Sequence, residues 1–402
     1  MEQRKFIVSR ILAQLLPVYS VYLFMFRNHG LSMTDISLLM GIWCLPGFLL
    51  ELPSSILADL GNRRNLMVAG LLMEASGFAA WALFPSFPGY AAGFLLWGTG
   101  ESFISGTAEA WLYDSLKTEG REDTFDRMLG RSEFASSLAI AVTFMAGPPL
   151  SRLHETLPVW LSVGFLLVAA LLMASLPERN LYRGDRTGIR MKDAMDTLRT
   201  GVRFCTRHAV ARILLLLQIT LLTLPEVLDE FDPLLAGAMG VPFLVVGLWG
   251  AIRYGLTAVG GIAAWRWKKL FAGKGKNGFT PILAAGGIGC LLLLLSAVFP
   301  VLPLLPAYGG FYLLLSSARV LHADVLQATV TEEGRATVQS LANQLVMPSA
   351  VGMFALIGVL GDQGVAGAQG DPMRAVRWLA IGMLVLIPGF VLLRGSRDNK
   401  AG

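Results

Sequence analysis

The sequence predicts an all-α membrane protein in which twelve transmembrane helices form two related six-helix bundles. Hydrophobic residues make up 54% of the 402 positions and charged residues only 15%, and the mean hydropathy is +0.59. A soluble protein carries about 25% charged residues, so this chain has too little polar surface to cover a water-soluble body. Long apolar runs recur along the whole chain, and one long polar segment lies at its midpoint.

The predicted spans follow from the length of these runs, because a helix needs about 20 mostly apolar residues to cross the hydrocarbon core. In the first half they cover residues 6–26, 36–58, 66–84, 89–116, 125–153 and 158–176. In the second half they cover residues 210–235, 242–264, 281–299, 302–326, 337–360 and 375–393. The first run continues past Pro17 without a small-residue cleavage site, so we expect an uncleaved first helix and not a signal peptide.

The basic residues predict the topology. They concentrate in alternate connections, at 4–5, 63–64, 117–131, 179–212, 266–276 and 394–400, whereas the connections at 85–88, 237–240 and 300–303 carry few. Cytoplasmic loops carry the excess of Lys and Arg, so we expect a multi-pass protein of the inner cell membrane with both termini in the cytoplasm. The formal net charge of +5 is therefore explained by topology, and nucleic acid is not an expected partner.

The polar segment divides the chain into an N-terminal bundle at 1–176, a cytoplasmic linker with a surface helix at 177–209, and a C-terminal bundle at 210–402. An internal repeat supports this division. The fourth predicted helix contains EAWLYD, ending at Asp114, and the tenth contains RVLHAD, ending at Asp324. Repeated bundles that enclose a central site are an architecture of membrane transporters.

The connection between the second and third helices carries a motif. Its sequence, SILADLGNRR at 55–64, resembles the major facilitator superfamily signature G-x-L-A-D-x-x-G-R-[RK], with Ser55 and Asn62 in place of two glycines. The preceding ELPS at 51–54 looks like the E-x-P-[ST] sequence of some bacterial members. AGPPL at 146–150 is similar to the family's antiporter motif, without its final glycines. With the helix count and the midpoint linker, the resemblance covers the whole chain and is greatest to bacterial proton-coupled exporters.

The resemblance implies a cytoplasmic gate formed by Asp59, Arg63 and Asp114. In the family, the motif aspartate faces the start of the eleventh helix, and the motif arginine pairs with an acidic residue of the fourth helix. A carboxylate is also favourable at a helix N-terminus. The alternative is an ordinary salt bridge in a loop.

Proton coupling is expected at Glu51, Glu101 or Glu109, because ionisable groups inside a bilayer are costly and mark functional sites. Glu101, Ser105 and Glu109 have the spacing of one helical face, and burial favours the protonated form of a carboxyl group. The alternative is a structural pair with a nearby arginine. We expect Glu74, in the middle of the third helix, to form such a structural pair.

A substrate cavity is expected where polar residues fall within apolar helices. Arg253 lies in the middle of the eighth helix, and the acidic residues of the seventh helix could pair with it. Asp232 is expected at an exposed helix end. The alternatives for these positions are structural ion pairs and hydrogen bonds between helices. The cavity candidates are Gln14, Tyr19, Tyr22, Ser105, Glu226, Arg253, Arg319, His322 and Asn343.

The chain lacks the signatures of an enzyme. The glycines at 273–278 do not have phosphate-loop spacing, no catalytic triad is present, and the three cysteines have no metal or disulfide spacing. We therefore expect no cofactor and no metal, and a monomer that works with protons, a small-molecule substrate and the lipid bilayer. The predicted function is proton-coupled export of a small organic molecule. The alternatives are an importer or facilitator of a small metabolite and, third, a receptor or scaffold.

Overall fold

The computed structural model describes residues 2–181, 199, 201–271, 279–330, 332–363 and 370–398. Within these ranges the side chains at 51–52, 55, 59–60, 329, 332–337, 340, 343 and 391–398 are not described. The predicted roles of Glu51, Asp59 and Asn343 and of the linker's surface helix therefore lie largely outside the described residues.

The described residues form helices and no strands. Those of the first half are α1 (Glu2–Gln14), α2 (Tyr22–Asn28), α3 (Met33–Leu60), α4 (Arg63–Leu83), α5 (Phe87–Ile104), α6 (Thr107–Thr118), α7 (Phe125–Leu153) and α8 (Leu157–Ala174). Those of the second half are α9 (Ala209–Ile219), α10 (Leu224–Ala238), α11 (Val246–Leu270), α12 (Phe279–Val298), α13 (Leu305–Thr329), α14 (Glu332–Asp362) and α15 (Pro372–Asp398).

Helix length and composition confirm an all-α membrane protein. Eleven helical stretches among the described residues are long and apolar enough to cross a membrane. The fourth predicted span is the one that this set lacks, and it is present as the pair α5 and α6. The helix count is thus consistent with the predicted twelve.

The chain divides into two compact units. Unit 1 comprises Met1–Leu31, Leu38–Ala194 and Phe243–Leu248, and unit 2 comprises Ser32–Ser37, Met195–Pro242 and Trp249–Gly402. The main boundary falls inside the predicted linker.

Three predicted spans are interrupted, and the interruption of the fourth corrects the sequence analysis. The first span breaks after Gln14 into a 3-10 turn that begins at Pro17, because proline has no N–H to donate. The fourth breaks at Gly106, whose φ of 67° is a left-handed conformation that glycine adopts readily. Glu101 and Glu109 therefore lie on different helices, and the expected single face of the fourth helix is wrong.

The seventh span is also interrupted, between α9 and α10. The backbone leaves the helical conformation at Thr220, with φ −110° and ψ −83°, and α10 starts with a proline in its first turn. A broken helix leaves backbone groups that neighbouring side chains must satisfy within a membrane. Thr223 meets part of this need, because its hydroxyl donates to the Gln218 carbonyl at 2.8 Å.

Glycines bring α4 and α5 of unit 1 into close contact. A Cβ atom at Gly77 would lie 2.6 Å from the backbone oxygen of Gly93, and one at Gly100 would lie 2.9 Å from Cγ of Glu74. The two helices are thus as close as their backbones allow. This packing places the buried Glu74 directly beside the backbone that precedes Glu101.

Candidate functional site

Arg253 of α11 is the centre of a charged cluster in unit 2. Its side chain is only 3% exposed, and its guanidinium group pairs with Asp229 and lies 3.2 Å from Oδ2 of Asp232 through Nε. The guanidinium carbon also lies over two aromatic rings, 4.3 Å from the centroid of Tyr254 and 4.7 Å from that of Tyr312. Two carboxylates and two ring faces therefore compensate the burial of this cation.

Asp232 corrects the expectation of an exposed helix end. Its side chain is 1% exposed, because α10 continues to Ala238 and one turn separates Asp232 from Asp229 on the same face. The indole N–H of Trp249 donates to Asp232 Oδ1 at 3.1 Å. Asp232 is thus a buried counter-ion of Arg253, held by an aromatic hydrogen-bond donor.

Asp229 is the more accessible partner. Its side chain is 29% exposed, and its Oδ2 accepts a hydrogen bond from the Tyr254 hydroxyl at 3.1 Å. The two aspartates therefore differ in role: Asp232 faces the protein interior, while Asp229 presents part of its carboxylate to an open space.

A second ion pair joins the break in the seventh span to α13. Arg319 lies 2.8 Å from Glu226 Oε1, and it donates to the backbone carbonyl of Leu222 at 3.1 Å. The carbonyl belongs to the non-helical connection between α9 and α10, and Glu226 lies in the first turn of α10. One guanidinium therefore ties both sides of the break to α13, while remaining half exposed.

These groups line a cavity of about 160 Å³ within unit 2. At roughly 30 Å³ for each water in the liquid, it has room for about five waters or a small polar head group. The cavity brings together three of the predicted candidates, Glu226, Arg253 and Arg319, and adds Asp229. Its other polar lining residues are Tyr254, Thr257, Tyr312 and Ser316.

Unit 1 holds a different arrangement of charges. Glu74 is buried in α4, and its carboxylate is close enough to Glu101 of α5 to be destabilised by that charge and close enough to Arg10 of α1 to be stabilised by it. Arg10 also lies 3.8 Å from Glu133 of α7. Arg10 therefore lies near two carboxyl groups, those of Glu74 and Glu133. Within the described part of the chain, neither Glu74 nor Glu101 forms a direct ion pair.

Of the other proton-coupling candidates, Glu109 belongs to α6 and the side chain of Glu51 is not described. Ser105 is exposed at the break in the fourth span, and Glu109 is exposed in the first turn of α6. Glu101 precedes the break by one helical turn and is also exposed, beside the indole N–H of Trp43.

The predicted gate residues Arg63 and Asp114 form an ion pair in unit 1. Their side chains are 6% and 3% exposed, so the pair is buried between the start of α4 and α6. Asp114 also accepts the backbone N–H of Leu181 at 3.2 Å. The pair links two helices of the same unit.

The start of the linker is bound to the same place. The carboxylate of Glu178 accepts hydrogen bonds from the backbone N–H groups of Arg63 and Arg64, each at 3.0 Å. The side chain of Asn62 accepts a third, from the backbone N–H of Asn65 at 2.9 Å. Together they cap the N-terminus of α4. A carboxylate is favourable there because the first N–H groups of a helix have no partner within it.

The remaining cavity candidates occupy core positions. Tyr22 is buried, and its ring stacks on Trp81 with centroids 5.7 Å apart. Tyr19 is less buried and stacks on Trp97 at 5.4 Å. His322 is buried and hydrogen-bonds through Nε2 to a backbone carbonyl at 2.9 Å. Gln14 is partly buried at the end of α1.

Four positions were missed, set aside or considered only as possible ion-pair partners in the sequence analysis. Asp229 and Asp232 have a spacing of three on one helix, which could have predicted a joint partnership with Arg253. Glu74 carried a signal, since a midspan carboxyl group needs an explanation. Glu178 carried none, because it lies in a polar segment where a glutamate is ordinary.

Comparisons with known proteins identify the fold. The family model described as Major Facilitator Superfamily matches residues 7–347. Among solved structures, the chain is similar to the nucleoside transporter NupG, with a TM-score of 0.74 and 11% identity over 97% of this chain and 98% of that one.

Two further structures agree with this result. A bacterial homolog of the human lysosomal transporter Spinster, in an inward-facing and unoccupied conformation, has a TM-score of 0.69 and 14% identity over 97% of this chain and 94% of that one. A D-xylose-proton symporter has a TM-score of 0.63 and 12% identity over 96% and 95%. At such identities the likeness concerns the fold. None of the curated proteins compared with the chain matches it in sequence.

Proposed function

The chain belongs to the Major Facilitator Superfamily, and from this premise we propose that it is a proton-coupled secondary transporter that exports a small organic molecule. Family membership makes it a multi-pass membrane transporter and not an enzyme. The loop charges support an orientation with both termini in the cytoplasm. Coupling to protons and outward direction are the parts that the proposal adds.

The carboxyl groups of Glu74 and Glu101 carry the proposal. They lie on adjacent helices of unit 1, where Glu74 packs against Gly100, the residue before Glu101, and Arg10, the cation near Glu74, also pairs with Glu133. Neighbouring carboxylates with too few counter-charges favour binding of a proton at one of them. Of the two, Glu101 has the more exposed side chain, which supports it as the group that exchanges the proton, whereas Glu74 is buried.

The test is transport in proteoliposomes with an imposed pH gradient. Purified protein is reconstituted, a panel of labelled small organic molecules is screened for gradient-driven flux, and the Glu101→Gln variant is compared with wild type. We expect the variant to lose gradient-driven flux and to keep exchange of labelled for unlabelled substrate, because exchange needs no net proton movement. Glu122→Gln, at an exposed position in the connection between α6 and α7, is the charge-matched control.

Gradient polarity separates export from uptake. Movement of substrate against the proton flow supports export, and movement with it supports uptake, the direction implied by the name of the D-xylose-proton symporter that shares the fold. If the Glu101→Gln variant retains full gradient-driven flux, the proposed proton site is wrong. Absence of flux for every substrate class would instead favour the receptor reading.

A further inference from the structure

We propose that the unit 2 cavity binds the cationic group of an organic ligand and that Asp229 is its anchor. The proposal rests on the proposed function, because it names the chemical class of the transported molecule. It is carried by the cavity of about 160 Å³ that Asp229, Glu226, Arg253 and Arg319 line together.

The charged groups of the cavity wall do not balance. Arg319 is paired with Glu226, and Arg253 is shared by Asp229 and Asp232. Three carboxylates therefore face two guanidinium groups, which leaves one negative charge in excess. Because Asp232 is enclosed by Arg253 and Trp249, the excess charge is available at Asp229.

Among the described residues that line the cavity, both guanidinium groups already have carboxylate partners, which disfavours an anionic ligand. The guanidinium group of Arg253 is covered by two carboxylates and by the rings of Tyr254 and Tyr312. Arg319 already donates to a carboxylate and to a backbone carbonyl. An anion at Arg253 would have to displace one of these partners, and an anion at Arg319 would be repelled by the adjacent Glu226 carboxylate, whereas a cation meets the partly exposed carboxylate of Asp229.

The remaining polar and aromatic groups of the wall also favour a cation. Tyrosine rings attract cations through their negative faces, and the ring of Tyr254 is exposed. The hydroxyl groups of Thr257 and Ser316 line the same space and can accept hydrogen bonds from an ammonium group. A primary or secondary ammonium head on a small apolar or aromatic body therefore fits this wall.

The experiment compares three probes that share a ring and differ in charge: benzylammonium, benzyl alcohol and benzoate. Binding to the purified full-length protein in detergent is measured by isothermal calorimetry without any proton gradient. We expect wild type to bind benzylammonium at least tenfold more tightly than the other two. Asp229→Asn should weaken benzylammonium binding at least tenfold, and Asp229→Glu should restore part of it.

Two further variants make the test specific. Asp324→Asn removes the same charge from α13 outside the cavity, where Asp324 pairs with Lys268 at 2.8 Å on the surface, and should bind benzylammonium like wild type. Glu226→Gln releases Arg319 and should strengthen benzoate binding. Gel filtration and the thermal unfolding midpoint check that each variant is folded. If Asp229→Asn is unfolded, the Glu226→Gln result decides, and unchanged benzoate binding in that variant then contradicts the proposal.

The proposal is overturned if wild type does not bind benzylammonium, if it prefers benzoate, or if folded Asp229→Asn binds benzylammonium like wild type. It is likewise overturned if Asp324→Asn weakens binding as much as Asp229→Asn, since the effect would then be one of net charge. Because the binding assay uses no proton gradient, a negative binding result does not contradict the proton-coupling proposal. Loss of proton coupling in the transport assay, conversely, leaves the binding result standing.

Discussion

The buried ion pair between Arg63 and Asp114 offers the sharpest test of the structure. Replacing Asp114 with asparagine keeps the size of the side chain and the oxygen that accepts the Leu181 N–H at 3.2 Å, but it removes the charge that compensates Arg63. Removing one partner of a buried pair costs about 3–5 kcal/mol, because it leaves the other charge uncompensated. We expect a loss at the lower end, about 3 kcal/mol, since the hydrogen bond to the linker is retained.

Glu178→Gln is the matched comparison at the same location. The carboxylate of Glu178 accepts two N–H groups at the start of α4, and the glutamine keeps one acceptor oxygen. Loss of one cap bond and of the interaction with the helix dipole costs about 1–2 kcal/mol. The Asp114 substitution should therefore destabilise the protein by more than the Glu178 substitution, although both remove one negative charge.

The assay is reversible unfolding by sodium dodecyl sulfate in mixed micelles, followed by tryptophan fluorescence. Trp111 is a local reporter, because its indole N–H donates to the Pro177 carbonyl at 3.1 Å. The double variant Arg63→Gln/Asp114→Asn removes both buried charges and should lose less stability than the two single losses added together. A smaller loss for Asp114→Asn than for Glu178→Gln, or additive losses in the double variant, would refute the buried pair.

Three further outcomes are expected. Gly77→Ala should lower the free energy of unfolding by about 1–3 kcal/mol in the same assay, because the new Cβ would lie 2.6 Å from a backbone oxygen of α5. Gly130→Ala, whose new Cβ would have no neighbour within 4 Å, should leave the free energy of unfolding unchanged or raise it by about 0.5–1 kcal/mol. The Gln3 amide donates to Glu119 at 2.8 Å and thereby lowers the pKa of that carboxyl group. The resulting stability is present above the unfolded-state pKa and is lost as pH falls through the folded-state pKa. The difference in melting temperature between wild type and Gln3→Leu should therefore decrease on acidification, and a constant difference would exclude this linkage. His322→Ala should cost about 1 kcal/mol or more through a lost buried hydrogen bond and leave the pH profile of transport unchanged, whereas a shifted profile would place the imidazole in the proton path.

The membrane fold could be predicted from the sequence because its signal is summed over many residues. Hydrophobic length alone located the spans, and for α7 the predicted and observed bounds coincide at Phe125–Leu153. The pairing of Arg253 with acidic residues of the seventh span was also open to prediction, since a midspan arginine must find a counter-charge in a low-dielectric environment.

The breaks in the helices could not be predicted in the same way. Glycine is common in transmembrane helices, so Gly106 gave no sign that it would adopt a φ of 67°, while glycines such as Gly77 and Gly93 serve close packing within intact helices. The choice between the two depends on what the neighbouring helix presents. For the same reason the burial of Asp232 was missed, because it depends on the reach of Arg253 from another helix.

The ionisable side chains of the two units have different partners, and this difference indicates a different role for each unit. In unit 2, Arg253 pairs with two carboxylates at once, which favours a preformed recognition site that changes little when its ligand leaves. In unit 1, neither Glu74 nor Glu101 forms a direct ion pair among the described residues, and Arg10, near Glu74, also pairs with Glu133, which favours a change of protonation. If this division is correct, substitution of Glu101 should abolish coupling while benzylammonium still binds to the purified protein. The Asp229→Asn substitution should weaken binding of the cation at least tenfold, and therefore reduce flux, in either direction of the gradient.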